Sequence, residues 1–399
     1  DLITNPLWIE LMRILESLRV IDASQFLSGP IVSLYLAGYG ADVIKVERPG
    51  GEDARAIGPF RGGQSSYFMS LNRGKRSIMV DLKQPRGVEV FKRLARKADV
   101  LVENYLPGVM DRLGVGYETL RTENPKLIYA AISGFGQSGP QASRPAFDSL
   151  LQAAGGLISV TGPVGGPPVR VGVSIVDISS GLYLLSGILS ALWSRERTGE
   201  GVRVDASMLD VTANLMENPV SRHSFTAKIP APEGLSHPVV SPFSGYATED
   251  GLIFVAVSND NRFRVLVEAL GRPELAEDLR FAGNNDRINN DEALRRILED
   301  ILTAKTTGEW EEILIPQGVT VSAINDVTRL KERFPEAFVN VDHPAAGPAL
   351  LPGTPLRFSN AETDFSSPSP LAGQHTGGIL SELGYRSEEI EEMQREGAV

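Results

Sequence analysis

Short apolar runs alternate with amphipathic ones between residues 18 and 133, and this constrains the fold more than any other feature of the chain. Residues 18 to 22, LRVID, read as a strand. Residues 31 to 39, IVSLYLAGY, read as a helix after Gly29-Pro30, and residues 42 to 47, DVIKVE, as a second strand. The pattern recurs as strand 77–82 (SIMVDL), helix 86–98 (RGVEVFKRLARKA), strand 100–104 (VLVEN), helix 117–123 (YETLRTE) and strand 126–133 (KLIYAAIS). Strands separated by single helices pair in parallel, with helices covering the sheet faces. The expectation is a doubly wound α/β domain over roughly the first 150 residues.

Residues 179 to 197, SSGLYLLSGILSALWSRER, read as a helix apolar on nearly every side. Such a helix is expected to be fully buried, in part against a second subunit. The character changes near residue 223. Residues 226 to 245 are rich in proline, glycine and serine, and GYATEDGLIFVAVS reads as a hairpin turning at Asp250-Gly251. Charged helices follow at 261–270, 291–303 and 308–314. These features predict a smaller α/β domain over 224–335. The tail carries proline-rich extended stretches suited to wrapping over other structure, then a final pair of helices. The N-terminal DLITNPLWIELMRILESL reads as a short amphipathic helix, because no basic region precedes an apolar stretch as in a signal peptide.

No apolar run is read as long enough to span a membrane, and the cytoplasm is the expected compartment. Cysteine is absent, which removes disulfides, thiolate metal sites and a cysteine nucleophile. The histidines, His223, His237, His343 and His375, are not paired at ligand spacing, so no metal site is expected. A net charge of −11 argues against a nucleic-acid binder. Anionic ligands remain open where basic residues gather.

GFGQSG, residues 134 to 139, matches G-x-G-x-x-G after a strand. A dinucleotide site needs a helix to open there, and Pro140 and Pro145 oppose one. A flexible glycine loop near a ligand, or a plain turn, is the better reading. G-x-S-x-G and phosphate-binding P-loop patterns are absent, which disfavours a serine hydrolase or simple NTPase. In a parallel sheet the loops after the strands form the ligand crevice. Arg48, Lys75-Arg76, Lys83 and Arg112 fall in or near such loops, where Arg48, Lys83 and Arg112 can gather around an anionic tail. Singly, each reads as a solvated surface charge.

Asp177 stands inside an apolar run, GVSIVDISSG. An aspartate just ahead of a long helix is commonly its N-cap. The same place suits chemistry: a helix N-terminus favours the carboxylate, apolar neighbours exclude water, and a poorly solvated carboxylate attacks activated acyl groups.

Seven stretches taken in order, LRVIDASQFLSGP, YGADVIKVERPGGED, NRGKRSIMVDLK, ADVLVENYLPGVMDRLG, ISGFGQSGP, VSIVDISSGLYLLSGILSALWSRERTGEG and LAGQHTGGILSELGY, span nearly the whole chain. Together they resemble the family III CoA-transferases, which include formyl-CoA:oxalate and carnitine CoA-transferases and, by descent, the 2-methylacyl-CoA racemases. The resemblance implies a Rossmann-like large domain built from both chain ends, 1–223 completed by 336–399, a smaller α/β domain between, and two subunits threaded as interlocked rings.

The resemblance also implies roles. Asp177 falls on the nucleophile. Leu27 and Ser28 fall on the first CoA-contacting loop, where the formyl-CoA enzyme carries glutamine and alanine. Arg48 falls on an arginine at the nucleotide end, and Val80, Asp81, Leu82 and Lys83 on a segment contacting the same end. Asn104, Tyr105, Leu106 and Arg112 fall on further CoA contacts. Pro145, Ala146, Phe147 and Asp148 fall on a loop near the thioester. The glycine run over the active site of the formyl-CoA enzyme is unmatched; EGLSHPVVSPF stands there, which puts oxalate–formate specificity in doubt. The racemases place a histidine where this chain has Phe147, and racemisation needs two proton-transfer groups. The implied activity is therefore CoA transfer between carboxylic acids, with coenzyme A as part of the substrate and no other cofactor. Arg144, Arg222 and His237 are candidates for a second carboxylate, which points to a short dicarboxylate, exchanged between molecules or within one. The alternatives are a racemase of the same fold and a non-catalytic CoA-binding protein.

Overall fold

Six short runs rich in valine, isoleucine and alanine assemble the central sheet. In chain order they are β1 (Arg19–Asp22), β2 (Asp42–Glu47), β3 (Arg76–Met79), β4 (Val100–Glu103), β5 (Ile128–Ser133) and β6 (Arg203–Ser207). Every pairing is parallel, and the spatial order is β3-β2-β1-β4-β5-β6. This is the doubly wound order, in which the winding reverses between β1 and β4 and opens a crevice beyond their carboxyl ends. The computed structural model describes residues 12–399. The amphipathic helix expected at the N-terminus falls largely outside them; Met12–Arg13 pair in parallel with Ala361–Glu362.

Helices cover both faces of the sheet. On one side α1 (Ser28–Gly38) and α5 (Ile175–Thr198) pack through Val32, Leu36, Leu184 and Ile188. On the other, α2 (Pro85–Arg96) and α3 (Tyr117–Glu123) join two tail helices, Thr376–Glu382 and Ser387–Glu396, through Phe91, Leu94, Leu120, Ile379 and Met393. Helix α2 shows the logic plainly. Pro85 pre-sets its first turn, its apolar stripe is Val90, Phe91, Leu94 and Ala95, and its charges face water. Helix α1 carries no charge and is buried along almost its whole length, between the sheet and α5.

Three expectations need correction. Residues 80 to 82 are not strand: after Met79 the chain turns away, with Asp81 N–H donating to Ala398 O (2.9 Å) and the Asp81 carboxylate accepting from Lys83 N–H (2.9 Å). Helix α5 begins at Ile175, four residues before its expected start, and is not buried all round. Val176, Ser180, Gly181, Leu184 and Ile188 face inward, while Leu182, Tyr183, Leu189 and Trp193 are 41–63% exposed. By length and composition this helix could also cross a membrane, contrary to the sequence reading, yet its inner face is part of the sheet's core. Last, residues 158–170 and 218–223 sort with the second unit, which comprises 158–170 and 218–335. The first of these segments is tied there by Gly234 N–H to Gly162 O (3.0 Å).

Within the second unit, Phe243–Ala247 and Leu252–Ala256 form the expected hairpin, with Thr248 N–H donating to Gly251 O across the turn. Val321–Ala323 adds a third antiparallel strand. The charged helices lie at Asp260–Ala269, Asp291–Leu302 and Thr307–Leu314. The remaining described residues, 12–157, 171–217 and 336–399, make the first unit. Its tail lies along α1, with Phe365 against Tyr35 and Tyr39 and its carbonyl bound by Arg73 (2.8 Å).

Candidate active site

The crevice predicted by the strand order holds a cavity of about 220 Å³. Its walls are the loop after β1 (Gln25, Phe26, Leu27, Ser28), the loop after β4 (Asn104, Tyr105, Leu106), the end of β5 (Ile132, Ser133, Gly134), Pro145, Ala146 and Phe147, with Asp177 and Met208. The two loops are locked together by one side chain. The Asn104 carboxamide accepts from Gln25 N–H (2.7 Å) and donates to Gln25 O (2.7 Å) and Ser28 Oγ (3.2 Å). With Gln25 pinned and α1 starting at Ser28, Phe26 is held at φ +61°, a conformation bulky residues avoid. Its ring meets Phe147 edge-on at 6.2 Å.

Asp177 is the third residue of α5, so it is inside the first turn and not the N-cap. Ser174 holds the cap position without a side-chain bond. The carboxylate that satisfies the helix end is Asp148, from α4 (Asp148–Ala154), whose Oδ1 accepts from Val176 N–H (2.8 Å) and Asp177 N–H (3.2 Å). Gln152 donates to Asp148 Oδ2 (2.6 Å) and holds it in place. Freed from capping, the half-buried Asp177 carboxyl has no hydrogen-bond or ion-pair partner among the described residues. Burial, then the neighbouring Asp148 charge, push it up to about 7. Helix α5 lies directly on the first turn of α1: a Cβ at Gly181 would sit 2.3 Å from Ile31 Cγ2 and 2.8 Å from Ser28 O. The carboxyl is thus set beside the N-terminus of α1, which has no side-chain cap.

Of the residues singled out from sequence, Asp177, Leu27, Ser28, Asn104, Tyr105, Leu106, Pro145, Ala146 and Phe147 converge on this cavity. Leu82, Lys83 and Arg112 meet Lys92 in a separate open depression. Val80 is buried in the core. Arg48 is exposed and paired with Asp53, with its Nε on Gly51 O (3.2 Å). Arg144 is exposed and stacks on Phe135 (4.7 Å). Arg222 and His237 belong to the second unit, where Arg222 faces Glu233 (3.8 Å) and His237 packs on Phe243. Lys75, read as a crevice charge, is buried, and Arg76 pairs with Asp42 (2.7 Å) and Glu382 (2.6 Å).

The sequence reading missed Gln25, Phe26, Ile132 and Met208 in the cavity wall, and Lys92 in the depression, whereas Ser133 and Gly134 belong to the glycine loop it had placed near a ligand. It also missed Tyr67, which packs with Leu27, Ile31 and Ile178; burial, then the Asp177 charge, raise its hydroxyl. Only the loops after strands carried a signal, through the crevice rule.

The model of CoA-transferase family III matches residues 15–376. An acetyl-CoA:oxalate CoA-transferase of Acetobacter aceti is 41% identical over 92% of this chain and 94% of its own length. A succinyl-CoA:glutarate CoA-transferase of Mus musculus is 36% identical over 97% of this chain and 91% of its own. Among solved structures, a CAIB/BAIF family protein from Brucella suis superposes with a TM-score of 0.83 at 37% identity, covering 93% of this chain and 99% of that one.

Proposed function

The chain belongs to CoA-transferase family III, an enzyme family, and from that premise we propose that it moves CoA from an acyl-CoA to a short dicarboxylic acid of the succinate, malate or mesaconate type. The relatives named for oxalate and glutarate support a dicarboxylate. The observation that carries the mechanism is the unpartnered Asp177 carboxyl in the cavity where the winding reverses.

Ionised Asp177 attacks the thioester carbonyl carbon. The C–S bond breaks, leaving an aspartyl–acyl anhydride and CoA thiolate. The thiolate attacks the aspartyl carbonyl and expels the donor acid as its carboxylate, giving an aspartyl-CoA thioester. The acceptor carboxylate then attacks that carbonyl, thiolate leaves, and a second anhydride forms. Thiolate returns to the acceptor acyl carbon and frees the Asp177 carboxylate. One thioester replaces another, and no net proton is exchanged. Each tetrahedral oxyanion is favoured by the N-terminal end of α1 and by backbone N–H groups near the glycine loop at 134–139. CoA binds through the loops after β1 and β4, with its nucleotide end toward Lys83 and Arg112; the same reading gives Arg48 a part. Binding of that remote end helps drive the crowded first attack. Phe147 offers no proton, which favours transfer over racemisation. Arg144, Arg222 and His237 are the candidate contacts for the second carboxylate. A cytoplasmic homodimer of interlocked rings belongs to the same proposal, and the exposed apolar side of α5 supports a subunit contact.

The test is to mix enzyme with acyl-CoA in the absence of an acceptor acid and quench with hydroxylamine. A mass change on the peptide containing VSIVDISSG is expected. Its absence, with acyl exchange intact, would overturn the assignment.

A further inference from the structure

Beneath the loop that forms one wall of the Asp177 cavity lies a group of charges that the reaction does not use. Asp22, Lys45 and Lys75 are at most 3% exposed. Lys45, on β2, donates from Nζ to Ser24 O (2.5 Å) and to Glu52 Oε2 (3.3 Å), and lies 3.7 Å from Asp22 Oδ1. Lys75, just before β3, donates to Asp22 Oδ2 (2.8 Å), Asn72 Oδ1 (2.8 Å) and Pro30 O (3.0 Å). Asp22 also accepts from Ser24 N–H (3.0 Å) and Ser33 Oγ (2.6 Å). Burying two ammonium groups is costly unless every proton finds an acceptor, and here two of the acceptors are main-chain carbonyls at residues 24 and 30. Those residues bracket the segment that carries Phe26, Leu27 and Ser28.

We propose that Lys75, together with Lys45, is a positioning residue for the transfer site: the two buried ammonium groups grip both ends of the 24–30 loop and so set the backbone that faces Asp177. The inference rests on the Asp177 cavity being the site of transfer. A protonated Lys75 has three N–H donors for its three acceptors. A neutral amine has two, and its lone pair must face an oxygen, so one contact is lost. The groups facing Lys75 are Asp22 from β1, Lys45 from β2 and Glu52 from the loop after β2, with uncharged oxygens from Asn72 and Pro30. Burial above all, with Lys45 adding to it against the pull of Asp22, brings Lys75 down to about 8, whereas Lys45 is raised. With the charged Asp22 keeping one N–H, Pro30 O and Asn72 Oδ1 compete for the other, so the grip on Pro30 weakens above about pH 8. Between about 8 and the usual lysine range the unfolded chain binds more protons than the folded one, so this group makes the fold more stable as pH rises there. Titration of Lys75 therefore does not lower activity in that window by unfolding the chain.

The test has two readouts. The first is amide exchange of the segment 23–34, corrected for base catalysis. In the wild type, opening should rise about tenfold between about pH 7 and about pH 9, while kcat/KM falls over the same range. Asp22→Asn removes the charge that sustains the ammonium and should move both onsets to lower pH by about 1–3 units. Lys75→Met, if it folds, should abolish the response of both. Exchange that ignores pH in the wild type, or an onset unmoved by Asp22→Asn, would overturn the proposal. Amide exchange does not require Asp177 chemistry: if the reading of Asp177 were wrong, Asp177→Asn would stay active while the exchange result stood.

Discussion

Replacing Asp177 by asparagine should destroy activity and stabilise the protein, and the size of the second effect follows from the site. The carboxyl releases its proton near 3.8 in the unfolded chain and near 7 in the fold, because burial and Asp148 oppose its charge. The gap, 7 minus 3.8, is about 3, so keeping Asp177 ionised costs the fold up to about 4 kcal/mol above neutral pH. The sign is fixed by proton counting. Between about pH 4 and pH 7 the folded state binds the extra proton, so this group lowers stability as pH rises and levels off beyond 7. Asparagine keeps the size and removes the charge, at the cost of about 1–2 kcal/mol for a buried amide without partners. The variant should therefore exceed the wild type by about 2–3 kcal/mol in urea unfolding at about pH 8, with the order reversed by about 1–2 kcal/mol near pH 4, where the wild-type carboxyl is neutral in the fold. Turnover should fall by about 10⁴-fold or more. An Asn variant no more stable than the wild type at pH 8, or one that still transfers CoA, would refute the claim that the fold holds a strained nucleophile here.

Three further outcomes are expected. Asp148→Asn keeps an acceptor for Val176 and Asp177 N–H but removes the repelling charge, so the acid limb of kcat/KM should move to lower pH; Asp148→Ala should also cost about 1–2 kcal/mol in a urea melt through the lost cap. Asn104→Ala breaks the bonds that join the two cavity loops and should raise KM for acyl-CoA more than it lowers kcat, with a stability loss of about 1–3 kcal/mol. Arg48→Ala should weaken CoA binding in calorimetry without changing the preference among acids, since an arginine at the nucleotide end lies far from the reacting carbon.

What could be read in advance was whatever short-range pattern decides. β2 and α3 fall on the residues expected of them, because a run such as DVIKVE or YETLRTE is settled by its own periodicity and immediate flanks. Where an element ends under the control of a distant partner, local pattern misled. The run GVSIV looks extended and β-branched, yet α5 starts within it because Asp148, 29 residues before Asp177, supplies the N-terminal acceptor. That pair of long-range bonds turns Asp177 from an apparent cap into a carboxyl without a partner among the described residues. Lys75 errs in the same way: in NRGKRS it looks like solvated charge, and only the meeting of β1, the first turn of α1 and the Asn72 side chain gives it three oxygens in the interior. Phe26 and Met208 carried no signal, since nothing in their neighbours foretells a wall built from loops after different strands. The cavity could be sought in advance in the loops that follow parallel strands, whereas the charge state of Asp177 and the hold on the loop before α1 depend on side chains brought together only by folding.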